Sequence, residues 1–513
     1  MKKFLVLLLT LSLIFSLAAC GGSGKGGADN GGAGGGANGS PEAAVAGEIT
    51  GEITVSAFET MTQRAFLEEA ARLFEEKYPG TKVNVETFSA MPEISTAQQG
   101  NMSMQRVQMQ DDPTARADYV SKVNTSLMSG TGADILAADV LPLYKYADSG
   151  QLVELNALIA ADTDFDRAAY RGNILDSLTY KGGLWYMPLD YSFEYFAYDS
   201  TLLNSRVAKF GTGSAFNTRD LVEIAEPVYD GNSKIFNMAS YSRGGGGGGM
   251  GMISGLYARM LREQYSSLVD IEKREAHFTE DFAQLLNTLK EYEQMGYVNA
   301  GLSAQSDPGR LMIGSDGPPQ PTERFYFKSK NNMTLDQQFS RNSGRRMNMR
   351  MFAVGTALGI EDDDEIAGAQ ADARGLTPFT FQYGYALNSA SKNQATAWAF
   401  LKFLLSEEMQ LSSTMHASTL PLHNEARAQK AELVMSGAFM GHGEPLDDEQ
   451  LQILEQCREA TEQLSDLIST YTIHDIVIDD MINTEVQYFF DGVKSAEEVA
   501  ANLQNKVELY LNE

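Results

Sequence analysis

Ile53-Thr54-Val55-Ser56-Ala57-Phe58 alternates between apolar and polar or small positions, the period of a half-buried strand. From Arg64 to Tyr78 the period changes, and Phe66, Leu67, Ala70, Leu73 and Phe74 recur at helical spacing. Pro79-Gly80 ends that helix, and Lys82-Val83-Asn84-Val85-Glu86 alternates again. A strand, a helix and a strand in this order predict parallel pairing with the helix packed on the sheet. A second helical stretch, Ala115 to Met128, leads through Ser129-Gly130-Thr131-Gly132 into a strand over Asp134 to Ala138. After a break come Leu141 to Ala147 and then Gly150 to Leu155.

The first 20 residues follow another rule. Lys2 and Lys3 precede a mostly apolar run from Phe4 to Leu17, too short to span a bilayer comfortably and of the kind found in export signals. Leu17-Ala18-Ala19-Cys20 resembles a bacterial lipobox, in which the cysteine is lipidated and the chain is cut just before it. Two or three acyl chains on Cys20 would anchor stably where one binds only marginally. Cutting there removes Lys2 and Lys3 and takes the formal charge from −28 to −30. The mostly glycine stretch from Gly21 to Gly39 cannot fold and reads as a tether with a reach of about 25 Å.

Composition narrows the body that follows. With 513 residues the chain has room for two or three folded units, and 43% hydrophobic with 21% charged residues is ordinary for a globular protein. Lys plus Arg number 40 against 68 Asp plus Glu. That field repels phosphate backbones and anionic lipid, so no nucleic-acid partner is expected. Two cysteines make no disulfide framework, and Cys457 reads as a buried helix residue.

Three stretches together resemble one family. The first is the opening strand and helix with Phe74-Glu75-Glu76-Lys77-Tyr78-Pro79-Gly80. The second is Ser129 to Ile135 with Tyr146-Ala147-Asp148-Ser149-Gly150-Gln151-Leu152-Val153. The third is Tyr385-Ala386-Leu387-Asn388-Ser389-Ala390-Ser391-Lys392-Asn393 followed by Ala397 to Ser406, with Asp491 to Leu511 as a closing helix. Their order and spacing resemble the family 1 extracellular solute-binding proteins, capture subunits of ABC importers, many of which bind sugars. The resemblance implies an α/β, two-lobe fold of the periplasmic-binding-protein type II, with the ligand cleft between lobes. It implies residues 48–190 with about 352–408 as one lobe and 191–351 with about 409–513 as the other, after a signal peptide (1–19) and a lipidated tether (20–47). Chain crossings are expected near Leu189–Ser192, Val354–Thr380 and Ser406–Ser413. Residues 90–114 and 303–375 fit the family less well and read as insertions, the second holding a basic run from Lys328 to Arg350.

Loops after the carboxyl ends of strands are where an open α/β sheet places ligands. Phe58, Glu59, Asp139, Tyr191, Ser192 and Phe193 stand at such loops here. Asp139 reads equally as a ligand contact and as a helix N-cap, and the alternating Tyr191, Phe193 and Tyr195 as a cleft wall or as core. Tyr241, before the glycine run Gly244 to Gly249, and His416 are expected to approach from the second lobe, the other readings being a plain flexible loop and a structural histidine. The two tryptophans, Trp185 and Trp398, read as scaffold, so stacking on a sugar falls to Tyr or Phe.

Metal and catalytic signals are absent by spacing. Asp162-Thr163-Asp164-Phe165-Asp166 begins like a calcium loop, but Arg167 and Asn173 occupy the glycine and glutamate positions, leaving a surface turn. No His-Glu-x-x-His spacing, nucleophile elbow or nucleotide loop occurs, and no cofactor is expected. The sequence therefore predicts a monomeric, non-enzymatic lipoprotein on the outer face of the cell membrane. It would capture a solute, an oligosaccharide by preference, and pass it to an ABC permease. An anchored glycan hydrolase and a sensor feeding a membrane receptor are the alternatives.

Overall fold

The computed structural model describes residues 41–58, 61–88, 93–99, 102–108, 113–138, 140–199, 217–236, 242–243, 253–299, 325–331, 349–353, 377–412, 419–436 and 448–513. The opening unit forms as its periodicity requires. Strand Gly51–Phe58 pairs in parallel with Thr81–Phe88, from Gly51 opposite Thr81 to Phe58 opposite Phe88. Ile53, Val55 and Ala57 point inward, and helix Met61–Lys77 contributes Phe66, Leu67, Ala70 and Phe74 to the same core, all fully buried.

A first sheet runs in the order Thr81–Phe88, Gly51–Phe58, Ile135–Ala137, Gly384–Leu387, Met187–Pro188. Its first three strands are parallel, and Gly384–Leu387 is antiparallel to both its neighbours. The stretches that carry the family resemblance meet here. Asp134 accepts the Thr54 amide at 2.8 Å and the Ser391 hydroxyl at 2.5 Å. Asn388 donates to the Ala133 carbonyl at 2.9 Å, and Ser389 to that of Gly150 at 2.8 Å. Their side chains close strand ends, which is a folding role.

Helix Gln394–Leu404 covers this sheet and is fixed by Asp162. That carboxylate is buried and accepts the Trp398 indole at 2.7 Å, the Lys402 ammonium at 2.6 Å and the Asp164 amide at 2.9 Å. Burial by itself raises its pKa, but Lys402, Trp398 and Asp164 outweigh it and hold the group below the ordinary 3.8. The calcium-like run is thus a turn whose first acid is committed to Trp398.

A second sheet is organised by the long strand Asp190–Asp199. It runs in the order Ile468–Tyr471, Thr377–Thr380, Asp190–Asp199, Phe325–Asn331, Lys234–Phe236, and the long strand also pairs with Met349–Ala353 and Leu420–Pro421. Met349–Ala353 and Thr377–Thr380 both belong to this sheet, so among the described residues the return to the first sheet comes after Thr380, where the sequence put the boundary at about 352. The physical reason is register: these strands pair with Tyr195–Asp199 and with Ser192–Phe193. Helices Glu280–Gln294, Ile476–Phe490 and Ala496–Leu511 pack with one another on this side. Cys457 lies in helix Asp448–Asp466.

The last two helices are joined by Glu485, whose buried side chain receives Lys494 and Lys506, each at 2.6 Å. Burial raises this acid and the two ammonium groups more than reverse it, so its pKa lies below the ordinary 4.5. A depressed carboxyl pKa contributes stability above the unfolded value that is lost as pH falls through the folded one. Glu485→Gln is therefore expected to cost about 2 kcal/mol at pH 7. The gap from the parent should close below about pH 4 in urea titrations.

Candidate functional site

Three chain segments pass between the two sheets, and one buried acid holds two of them. Leu189 links Met187–Pro188 directly to Asp190–Asp199. Its amide donates to the Tyr383 carbonyl at 2.8 Å, and its carbonyl accepts the Leu422 amide at 2.9 Å. Asp190 is fully buried, and its Oδ1 accepts the amides of Gln382 at 2.9 Å and Tyr383 at 3.0 Å. Burial pushes this carboxyl above its ordinary range, against the pull of Thr419 and the two amides. Outgoing, returning and final segments thus run side by side at Leu189–Asp190, Phe381–Tyr383 and Leu420–Leu422, a compact hinge.

Beside the hinge lies a small pocket, partly open to solvent. The first-sheet side supplies Ala138, Leu141, Leu143, Tyr144, Tyr180, Trp185 and Tyr186; the crossing supplies Phe381; Tyr471 ends strand Ile468–Tyr471 of the second sheet, and Ile473 and His474 follow it. The aromatic residues form a connected wall. Phe381 stacks on Tyr471 with centroids 5.5 Å apart, and Tyr186 meets Phe381 at 5.6 Å and Tyr471 edge-on at 6.3 Å. Burial pushes the Tyr471 phenol up to about 12 and Tyr186 higher still, so both hydroxyls stay protonated. No carboxylate, ammonium or guanidinium is among the described lining residues. Such a surface accepts a neutral body with flat apolar faces and a few hydroxyls.

Trp185 is placed by a tight turn. Tyr180 and Gly183 exchange two backbone hydrogen bonds of 3.0 Å, with Lys181 (φ 49°) and Gly182 (φ 79°) in the left-handed region, as a two-residue hairpin demands. The indole then lies over Gly183 and donates to the Tyr180 carbonyl at 3.0 Å. A Cβ on Gly183 would meet that ring at 2.9 Å. Gly183→Ala is expected to displace Trp185, read as a shift in its fluorescence emission, with the melting temperature shifted by only a few degrees.

The description "bacterial extracellular solute-binding protein" matches residues 59–411, more than half of the chain. The chain belongs to this family. No curated protein matches this solute-binding protein by sequence. Among solved structures, it is similar to a family 1 extracellular solute-binding protein from Alicyclobacillus acidocaldarius, at 15% identity over 91% of this chain and 100% of that one, with a TM-score of 0.51. An ABC substrate-binding protein from Listeria monocytogenes, in complex with cycloalternan, aligns at 15% identity over 90% and 99%, TM-score 0.49. Maltose-bound MalE3 of T. maritima aligns at 15% over 90% and 99%, TM-score 0.48. The fold is the two-lobe α/β architecture expected from the sequence. Among the described residues, no helix is long and apolar enough to cross a membrane.

The residues singled out from the sequence of this solute-binding protein fall in three groups. Glu59, Asp139, Tyr241, His416 and Cys20 lie outside the described residues. Phe58, Tyr191 and Phe193 pack into the scaffold. The Phe58 ring lies on Phe88 at 6.4 Å and Tyr119 at 5.7 Å, while fully buried Tyr191 donates its hydroxyl to Ser465 at 3.2 Å. Ser192 is half-buried and bonds Thr380 through their hydroxyls at 2.9 Å. None of these four lines the pocket. Trp398 is scaffold as expected, but Trp185, just before strand Met187–Pro188, is half-buried on the pocket wall. Tyr144, Tyr186, Phe381, Tyr471 and His474 were passed over in the sequence. The adjacent Trp185-Tyr186, just before the expected crossing, was the one local signal.

Proposed function

We propose that this protein captures a neutral carbohydrate in the aromatic pocket between its lobes and delivers it, without chemical change, to an ABC permease. The carrying observation is the pocket wall itself: aromatic rings contributed from both sheets and the crossing, with no charged group among the described lining. Neutral sugar rings offer C–H faces to such rings and hydroxyls to phenols. Asp139 directly follows the lining residue Ala138 in the chain, and Glu59 follows the Gly51–Phe58 strand. In this reading both reach the sugar's hydroxyls, Tyr241 and His416 approach from the second lobe, and Phe58, Tyr191 and Phe193 support the walls from behind. Lobe movement about the hinge would bury the ligand and change the outer face that a permease meets.

The same reading makes the protein a monomer held on the outer face of the membrane through Cys20. Cys20→Ser is expected to abolish incorporation of labelled palmitate and leave an unprocessed precursor. The function is tested by titrating the intact protein calorimetrically with maltotriose, cellobiose, galacturonate oligomers, spermidine and a tripeptide. Heat from a neutral sugar that is recovered unchanged supports the reading. Binding confined to the charged solutes or the peptide overturns it, and a sugar that is consumed turns the assignment to a hydrolase.

A further inference from the structure

The pocket's two walls are joined by contacts that bypass the hinge. Tyr144, a lining residue on the first-sheet side, donates its hydroxyl to Asp475 at 2.7 Å, next to the lining residue His474. Tyr510 of the last helix donates to the same carboxylate at 3.0 Å, and Asp475 also caps helix Ile476–Phe490 through the Val477 amide at 2.9 Å. Helix Leu143–Asp148 belongs to the first-sheet body, since Tyr146 donates to Asn124 at 2.5 Å and Gln151 bonds back to Tyr146. At the end of that helix Asp148 pairs with Arg274 at 2.6 Å, and Arg274 sits between two short strands, Val269–Asp270 and Glu275–Ala276, packed on the last helix. Lys145 lies 3.7 Å from the centre of the Tyr510 ring, and the Lys181 amide donates to Glu272 at 3.1 Å. On helix Pro113–Met128, buried Arg116 reaches both oxygens of Asp480, at 3.1 and 3.0 Å.

Tyr144–Asp475, Asp148–Arg274, Lys145–Tyr510, Lys181–Glu272 and Arg116–Asp480 each pair a group on the first-sheet body with one on the C-terminal helices or the 269–276 segment. Because Tyr144 and His474 both line the pocket, the Tyr144–Asp475 bond ties its two walls together. We propose that Tyr144, Tyr510 and Asp475, with Asp148–Arg274 and Arg116–Asp480, form a latch that biases the lobes toward the closed state, so that these residues set solute affinity without touching solute. The inference rests on the solute-binding reading for its consequence, while the latch itself is measurable with no solute present. Population arithmetic gives the size: a ligand's apparent affinity scales with the fraction of protein in the competent state. Each hydrogen bond to a buried charged group accounts for about a tenfold change in the closed-to-open ratio.

The test is small-angle X-ray scattering of the intact, sugar-free protein against Tyr144→Phe, Arg274→Gln and the double variant. Arg72→Gln, which loses only an exposed pair with Glu76, serves as control. The expected result is a radius of gyration that grows from parent to single to double variant and is unchanged in the control. A double variant with native circular dichroism that scatters like the parent overturns the latch. Should the double variant fail to fold, a salt series on the parent decides. Raising salt from about 0.1 M to about 1 M shortens the screening length from about 10 Å to about 3 Å. Because Asp148–Arg274 is partly exposed, expansion supports the latch and an unchanged radius overturns it. Neither readout depends on which solute binds.

Discussion

Asp190→Ala is expected to lower unfolding stability by about 2–6 kcal/mol, while Asp190→Asn stays within about 1 kcal/mol of the parent at pH 7. Alanine leaves the amides of Gln382 and Tyr383 without an acceptor at the hinge, and a buried orphan amide costs about 1–3 kcal/mol. Asparagine keeps an oxygen for both amides and can donate its NH2 toward the Thr419 hydroxyl beside it. The pH dependence separates charge from shape. Burial raises the folded pKa above 3.8, so this group contributes stability below its unfolded pKa, and the contribution is lost as pH rises through the folded value. Between pH 7 and about pH 4 the parent should therefore gain on Asp190→Asn in urea titrations, because asparagine has no proton to take up. Equal pH slopes for the two proteins would show that the carboxylate is already fully relieved by its hydrogen bonds.

Legibility in the sequence followed the range of the interactions. The opening strand, helix and strand were readable because their burial is set within about 30 residues and alternates with simple periods. Pro188 ends one strand just before Asp190 begins the next, a change that is likewise local in the chain. The position of the return crossing was not readable. It depends on Met349–Ala353 and Thr377–Thr380 finding partners on Asp190–Asp199, more than 150 residues earlier, and nothing local records that choice. The site fared likewise. Looking just beyond strand ends picked out Phe58, which instead packs onto Phe88 and Tyr119. Tyr186, Phe381 and Tyr471 come from three distant segments and become a wall only through the hinge. The residues that made the family recognisable, Asp134, Asn388 and Ser391, close strand ends and leave the pocket to others.

The two tryptophans should then separate binding from folding. Trp185→Ala is expected to weaken a neutral oligosaccharide about 30-fold to 100-fold, the loss typical of an aromatic anchor in a pocket. Its ring touches the pocket on one side and Gly183 on the other, so its removal leaves the sheets intact and the melting temperature within a few degrees. Trp398→Ala should do the reverse. That side chain is 1% exposed, packs on Phe165 at 5.6 Å and donates to buried Asp162, so truncation opens a cavity and strips the acid of a donor. The cost is about 3–5 kcal/mol, with affinity little changed in the fraction that stays folded. Since these are the chain's only tryptophans, fluorescence reads the difference directly. Sugar should perturb the emission of parent and Trp398→Phe and leave Trp185→Phe unaffected. A sugar response that survives in Trp185→Phe and vanishes in Trp398→Phe would move the binding site away from the hinge and onto the outer face of the first sheet.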